Sequence, residues 1–415
     1  MNLTRVRNWC LSSFFSSLLA ISGQQYYTYV GNIGSDSVLL AWGTADGPNT
    51  IGRSSPSHGV ATIKIANRTL TSRANWLVAG GLQPDTSYPY QVLLGANIIG
   101  QGVVRTWPAK STRLVFFVIG DFGNGSRTQY AIAQAMWKEF QSRANSADPV
   151  RFILTTGDNI YGDVSSFLFG VKNTGNEDSH WARKFFEPYR EILAQIPFYP
   201  TLGNHDGNET ERHGDLDTYL DNFFFPGDQP ARWYTFTFGG GLAQFFGLDS
   251  TMNTDSGSPR PAYLEDGEQF HWMQRVMSTS TATWKIPYFH NPPFNAGPRH
   301  TPSYRDLLHW IRLFQQSGVK VVFNGHEHNF QFSQVDAESG GIQFVTSGSG
   351  GQLRDGNIAS KLQKANMAGF APQNQFLVVE IDGKTMRITP HGFEPIKVSN
   401  ASGQAVPMPL TVIAP

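Results

Sequence analysis

The chain has 415 residues, with 32 basic and 32 acidic side chains, and nothing in this zero net charge suggests nucleic acid or an anionic membrane as its main partner. Charged residues make up only 15% of it, whereas 42 glycines, 24 prolines and 13% aromatic residues exclude a helical bundle in favour of a loop-rich, sheet-containing globular protein. That length accommodates two domains and a substantial buried core.

The leader MNLTRVRNWCLSSFFSSLLAISG (1–23) sets Arg5 and Arg7 before a mildly apolar, serine-diluted stretch and ends in the small residues Ala20, Ser22 and Gly23. This is the layout of an export signal peptide cleaved near Gly23, so a secreted or periplasmic location is expected. The only cysteine, Cys10, falls within it. The mature chain is therefore expected to lack disulfides, thiolate metal sites and any disulfide-linked dimer. No other segment has the roughly 18 unbroken apolar residues of a membrane helix.

Residues 24–108 carry the short runs YYTYVG, SVLLAWGT, ATIKIA, NWLVAGG and YPYQVLLG, separated by Gly, Pro, Asp and Asn turns. That spacing predicts an all-β sandwich. The stretch GLQPDTSYPYQV (81–92) resembles the signature of fibronectin type III domains, with Tyr88 in place of their corner tyrosine and Trp42 as a core aromatic. TWPAKST (106–112) reads as a linker, since Pro and small polar residues interrupt both patterns.

A second domain, 112–415, follows. RLVFFVIGD predicts a buried strand, and Tyr130, Ala133, Trp137 and Phe140 predict an amphipathic helix over 126–145. RFILTTGD, IPFYPTLGNHD, LAQFFGLDS, WKIPYFHN and KVVFNGHEH repeat the pattern of an apolar strand followed by a polar cluster. QFLVVEIDG and TMRITPHGF predict a closing hairpin. The fold class expected is a two-domain α/β (α+β) chain, whose ligands bind beyond the carboxyl ends of the strands.

Five clusters carry chemistry: GDFG with Asp121, GDNIY with Asp158 and Tyr161, GNHD with Asn204 and His205, YFHNPPF with His290, and GHEH with His326 and His328. Each alone reads as turn or cap chemistry. Together they mix hard oxygen donors with imidazole, which suits a pair of first-row metals such as Fe, Mn or Zn. A structural zinc site would be compact and usually cysteine-rich, and no cysteine remains for one.

In this order the motifs resemble those of the calcineurin-like metallophosphoesterases, over roughly residues 112–400. The purple acid phosphatase branch is the nearer match, because Tyr161 follows Asp158 by three residues, where that branch has its iron-binding tyrosine; a β-sandwich ahead of the catalytic domain is also familiar there. The resemblance implies two packed mixed sheets flanked by helices. It also implies that Asp121, Asp158, Tyr161 and His328 hold an Fe(III). Asp158 would bridge to a divalent Fe, Zn or Mn completed by Asn204, His290 and His326. The implied activity is hydrolysis of small-molecule phosphate monoesters at acid pH by a metal-bound hydroxide. His205 would protonate the leaving alkoxide or stabilise the outer shell, and His300 lies near another substrate-facing histidine of the family, its alternative being an exposed loop residue.

Glu327 is expected to point away from the ligands. Asp163, Asp206 and Asp249 are expected to orient ligand imidazoles, while His58, His180, His213, His271, His309 and His391 are expected to be surface or structural. The segments 164–190 and 251–270 are the expected specificity loops. One rival is a Mn- or Zn-dependent phosphodiesterase or nucleotidase of the same superfamily, against which Tyr161 argues. A more remote rival is a non-catalytic binding or adhesion protein, whose signature would be a lost ligand.

Overall fold

The computed structural model describes residues 25–45, 51–55, 59–162, 175, 180–207, 216–227, 231–252 and 260–415. The leader with Cys10, His58, Asp163, His213 and parts of both expected specificity loops lie outside the described residues.

Among the described residues, seven strands form the N-terminal part: β1 (Tyr26–Ile33), β2 (Val38–Thr44), β3 (Ala61–Ile65), β4 (Arg68–Ser72), β5 (Trp76–Ala79), β6 (Ser87–Leu94) and β7 (Asn97–Arg105). They make two antiparallel sheets, of order β1-β2-β5 and β4-β3-β6-β7. Period-2 alternation is plain in β3, where Ala61, Ile63 and Ile65 are buried while Lys64 is exposed. The Tyr88 hydroxyl accepts the Gln83 N–H at 2.8 Å, closing the corner ahead of β6.

The remainder is built on two mixed sheets. One comprises β8 (Arg113–Ile119), β9 (Val150–Thr155), β10 (Phe198–Tyr199), β18 (Phe376–Asp382), β19 (Thr385–His391) and β20 (Leu410–Ile413), in the order β10-β9-β8-β18-β19-β20. The other comprises β11 (Tyr234–Phe238), β12 (Ala243–Gly247), β13 (Trp284–Tyr288), β14 (Val321–Asn324), β15 (Phe330–Ser333), β16 (Gln343–Ser347) and β17 (Met367–Ala371), in the order β11-β12-β13-β14-β16-β15-β17. β18 and β19 form the expected hairpin and add it antiparallel to β8. The sheets meet face to face through Phe116, whose ring lies edge-on to Phe245 at 5.3 Å and to Phe323 at 6.2 Å. Because both faces of the central strands β8, β9 and β14 are covered, these read as near-continuous apolar runs.

Helices flank the sheets: α1 (Arg127–Arg143), α2 (Arg190–Leu193), α3 (Asp217–Asn222), α4 (Glu268–Thr279), α5 (Leu308–Gln316) and α6 (Ala359–Leu362). Ser126 caps α1 by accepting the Gln129 N–H. The buried face of α1 is Gln129, Ile132, Ala133, Met136 and Phe140, turned from the expected stripe. Tyr130 lies outside it, 37% exposed, because its hydroxyl bonds Glu187 and the Arg183 carbonyl.

The segment expected as a linker is exposed at Ala109, Lys110 and Thr112 but buried at its start. Trp107 is 6% exposed and packs against Phe152, Tyr199, Phe236 and Phe238 with ring centroids 5.3–6.2 Å apart. Tyr29 packs against Phe186 and Phe224, and its hydroxyl donates to the Asn222 carbonyl. The two parts therefore share one apolar core.

Candidate metal centre

All five clusters follow the carboxyl ends of strands. Asp121 comes after β8, Asp158 after β9, Asn204 after β10, His290 after β13, and His326 and His328 after β14. Three sheet-one strands and two sheet-two strands thus deliver their ends to one cleft.

The local backbone is unusual there. Asp121, Asp158 and His326 have positive φ of 56°, 52° and 71°. Each such L-residue costs on the order of 1–3 kcal/mol and persists only where its surroundings over-determine it. The motif glycines permit close approach. A Cβ at Gly203 would lie 2.2 Å from Asp158 Oδ1, and one at Gly325 would lie 2.7 Å from Asp121 Oδ2.

Two groups of donor atoms face the cleft. In the first, the Tyr161 hydroxyl lies 3.4 Å from Asp121 Oδ1 and 3.2 Å from His328 Nε2, which is itself 3.3 Å from Asp121 Oδ1. Ligand atoms of Asp121, Asp158 and His328 all lie within 4.8 Å of one another. In the second, Asn204 Oδ1 lies 3.0 Å from both His290 Nε2 and His326 Nδ1, and those two nitrogens are 3.1 Å apart. Asp158 Oδ1, which accepts the His205 N–H at 2.8 Å, is 3.6 Å from His290 Nε2 and stands between the groups.

This donor set fits a metal pair. His290 Nδ1 lies 2.8 Å from the Thr156 carbonyl, which only accepts, so Nδ1 carries the proton and Nε2 presents a lone pair to the cleft. His326 Nδ1 then faces that lone pair and the Asn204 oxygen together, and one proton serves only one of them. A cation satisfies all three atoms at once. Burial, then the charges of Asp158 and Asp121, push the Tyr161 phenol well above its usual range, so a phenolate there needs a cation beside it. Burial, then Asp158, raises Asp121. Burial also lowers His290 and His326 and brings His328 down to about 3, keeping the imidazoles neutral.

The supporting residues differ in part from expectation. Asp206 and Asp249 do not orient imidazoles. Asp206, 2% exposed, accepts the Gly203 N–H at 2.8 Å, Asn159 Nδ2 at 2.9 Å and the Ile160 N–H at 3.0 Å, and so ties the Asn204 loop to the Asp158 loop. Asp249 instead pairs with the buried Arg232, whose Nη2 is 2.6 Å away. The reason is geometric: a backbone carbonyl already holds His290. Glu327 turns away from the donors, fully buried, and accepts the His300 N–H at 2.9 Å.

His205 is exposed, its ring centroid 4.6 Å from that of Tyr161. His300 stacks on His326 at 3.7 Å and 14°. His180 and His271 are exposed, and His309 and His391 pack on Phe270 and Phe376, away from the donors. Sequence reasoning missed Asn159, Arg354 and the buried Lys184, whose Nζ donates to the Tyr161 carbonyl at 2.7 Å. Asn159 alone carried a signal, lying between two motif residues.

Residues 114–330, a little over half of the chain, match the calcineurin-like phosphoesterase family. Purple acid phosphatase 17 of Arabidopsis thaliana is 28% identical over 274 residues, which cover 60% of this chain and 72% of that one. The solved structure of PhoD is similar with a TM-score of 0.64 at 16% identity, covering 94% of both chains. The purple acid phosphatase PPD1 from yellow lupin (Lupinus luteus) seeds is similar with a TM-score of 0.63 at 15% identity, covering 94% of this chain and 74% of that one. At such identities the two structures speak for the fold alone.

Proposed function

The chain belongs to the calcineurin-like phosphoesterase family, and from that premise we propose that it is an acid phosphatase acting on small-molecule phosphate monoesters with an Fe(III) and a divalent Fe, Zn or Mn. One observation carries the reading: oxygen and imidazole donors converge without sulfur, and a buried tyrosine hydroxyl stands among them. Asp121, Asp158, Tyr161 and His328 would hold the ferric ion. Asn204, His290 and His326 would hold the divalent one, with Asp158 shared. When bound, the pair supplies Lewis acidity that polarises the phosphoryl oxygens and makes a water nucleophilic in acid.

The chain's own residues do the rest. Thr156 fixes the His290 tautomer. Asp206 and Asn159 hold the Asn204 loop against the Asp158 loop. His205, its N–H fixed to Asp158 and its ring exposed at the mouth, is placed to give a proton to the departing alkoxide. The strand orders of the two N-terminal sheets and the Tyr88–Gln83 bond support a fibronectin III-like unit over 24–108, ahead of a catalytic domain over 112–415. Among the described residues no helix is long and apolar enough to cross a membrane. The Arg5–Gly23 leader supports export.

The test is the visible absorption of purified, air-exposed protein with metals counted, beside Tyr161→Phe. A broad violet-to-purple band lost in the variant, with activity on p-nitrophenyl phosphate at acid pH, is the expected result. A colourless protein with two metals per chain that prefers bis-p-nitrophenyl phosphate would move the assignment to a Mn- or Zn-dependent diester hydrolase.

A further inference from the structure

Glu327, between the ligand-type residues His326 and His328, is a carboxylate with no exposed surface. A buried charge is costly unless it is paired and hydrogen-bonded. Its Oε2 accepts the His300 N–H at 2.9 Å, and its Oε1 lies 3.4 Å from Arg354 Nη1. Arg354 is tied to the donor loop through its own N–H, which donates to the His328 carbonyl at 2.8 Å. Its guanidinium is close enough to the cleft that its charge acts on Asp121, Tyr161 and His328.

Only one corner of that guanidinium is engaged. Nη1 lies 2.9 Å from His300 Nδ1, whereas Nε and Nη2 have no partner among the described residues and are not shut off from solvent. The Nη1 contact is itself contested, because His300 Nδ1 also lies 3.0 Å from the His326 carbonyl. A protonated Nδ1 serves the carbonyl and repels Arg354; a bare Nδ1 does the reverse. An anion meeting the guanidinium resolves the conflict: Arg354 donates to the anion, and His300 donates to the carbonyl.

We propose that Arg354 is the oxyanion-binding residue of this site, its planar fork held by buried Glu327 beside the metal donors and its open edge receiving the non-bridging oxygens of a phosphate group. This inference rests on the phosphatase reading above. Arg suits the task because its fork matches a phosphate edge and stays charged at every working pH. Glu327 acts through Arg354 as a positioning residue.

The experiment titrates inorganic phosphate calorimetrically into metal-loaded wild type, Arg354→Gln, Arg354→Lys, Glu327→Gln and the Arg354→Gln/Glu327→Gln double variant, with metal content measured on each. Arg354→Gln should weaken phosphate binding roughly tenfold to hundredfold, the loss of a charged hydrogen-bond partner, with both metals retained. Arg354→Lys should fall between, because it keeps charge without the fork. KM for a monoester, with three non-bridging oxygens, should rise more than KM for a diester, with two. Glu327→Gln should weaken binding in the wild-type background and add nothing once Arg354 is gone. Arg354→Gln binding phosphate within about twofold of wild type overturns the proposal, as does loss of metal from that variant, which would make Arg354 a brace of the ligand loop. Independent, additive losses in the double variant overturn the role given to Glu327. Metal-loaded wild type that binds no phosphate sinks the phosphatase reading itself, a failure recognised before any variant is made.

Discussion

Replacing Asp206 separates a brace from a ligand, since its carboxylate touches no donor imidazole yet holds two motif loops together. In Asp206→Ala the Ile160 N–H loses its acceptor, at about 1–3 kcal/mol for a buried donor. The bonds to Gly203 and Asn159 go as well, so the total is roughly 3–5 kcal/mol. Asn159 keeps its bond to the Thr201 carbonyl, which limits the damage. Asp206→Asn is the sharper variant. Oδ1 takes the Ile160 N–H, while Oδ2 takes Gly203 and Asn159. Either orientation of an amide therefore sets its NH₂ against a donor. Both variants should melt several degrees lower by calorimetry. Because Asn204 lies between Gly203 and Asp206, both should also release metal faster to a chelator. Asp206→Asn with wild-type melting and full metal retention would refute the reasoning, for it would mean that side-chain volume alone matters there.

Gly203→Ala sets a Cβ 2.1 Å from the Asp158 N and 2.2 Å from its Oδ1, so metal analysis should find the centre depleted although no donor has changed. Trp107→Ala empties the junction shared by Phe152, Tyr199, Phe236 and Phe238 and should cost about 3–5 kcal/mol in denaturant unfolding; a loss well under that range would mean the junction is not packed. In the metal-free protein the His328 imidazole should stay uncharged from neutral pH into mild acid, because protonation follows only as pH falls through the folded-state pKa, and burial holds His328 at about 3, far below a free imidazole at about 6.5. An imidazole NMR titration of His328 with its midpoint above about pH 5.5 would show that it is not so held.

The sequence by itself determined what short-range rules govern. Apolar strands followed by Gly-Asp, Gly-Asn and Gly-His were legible because strand period and turn chemistry act over a few residues, and the offset from Asp158 to Tyr161 is likewise local. The hairpin of β18 and β19 and the sandwich strands were legible for the same reason. Which way the α1 helix turned, and whether Trp107 joined a linker or a core, depended on neighbours distant in sequence. So did the partners of Asp206: Ile160 and Asn159 lie more than forty positions away. Arg354, in a loop with no periodicity or motif, gave no signal at all; only the packing of β14 and the following loop brings it 2.9 Å from a histidine 54 residues earlier. Tertiary structure alone decided these meetings. Two sheets must first bury their apolar faces against each other before the ends of β8, β9, β10, β13 and β14 share one cleft, and that alignment arises from long-range packing that no local pattern encodes.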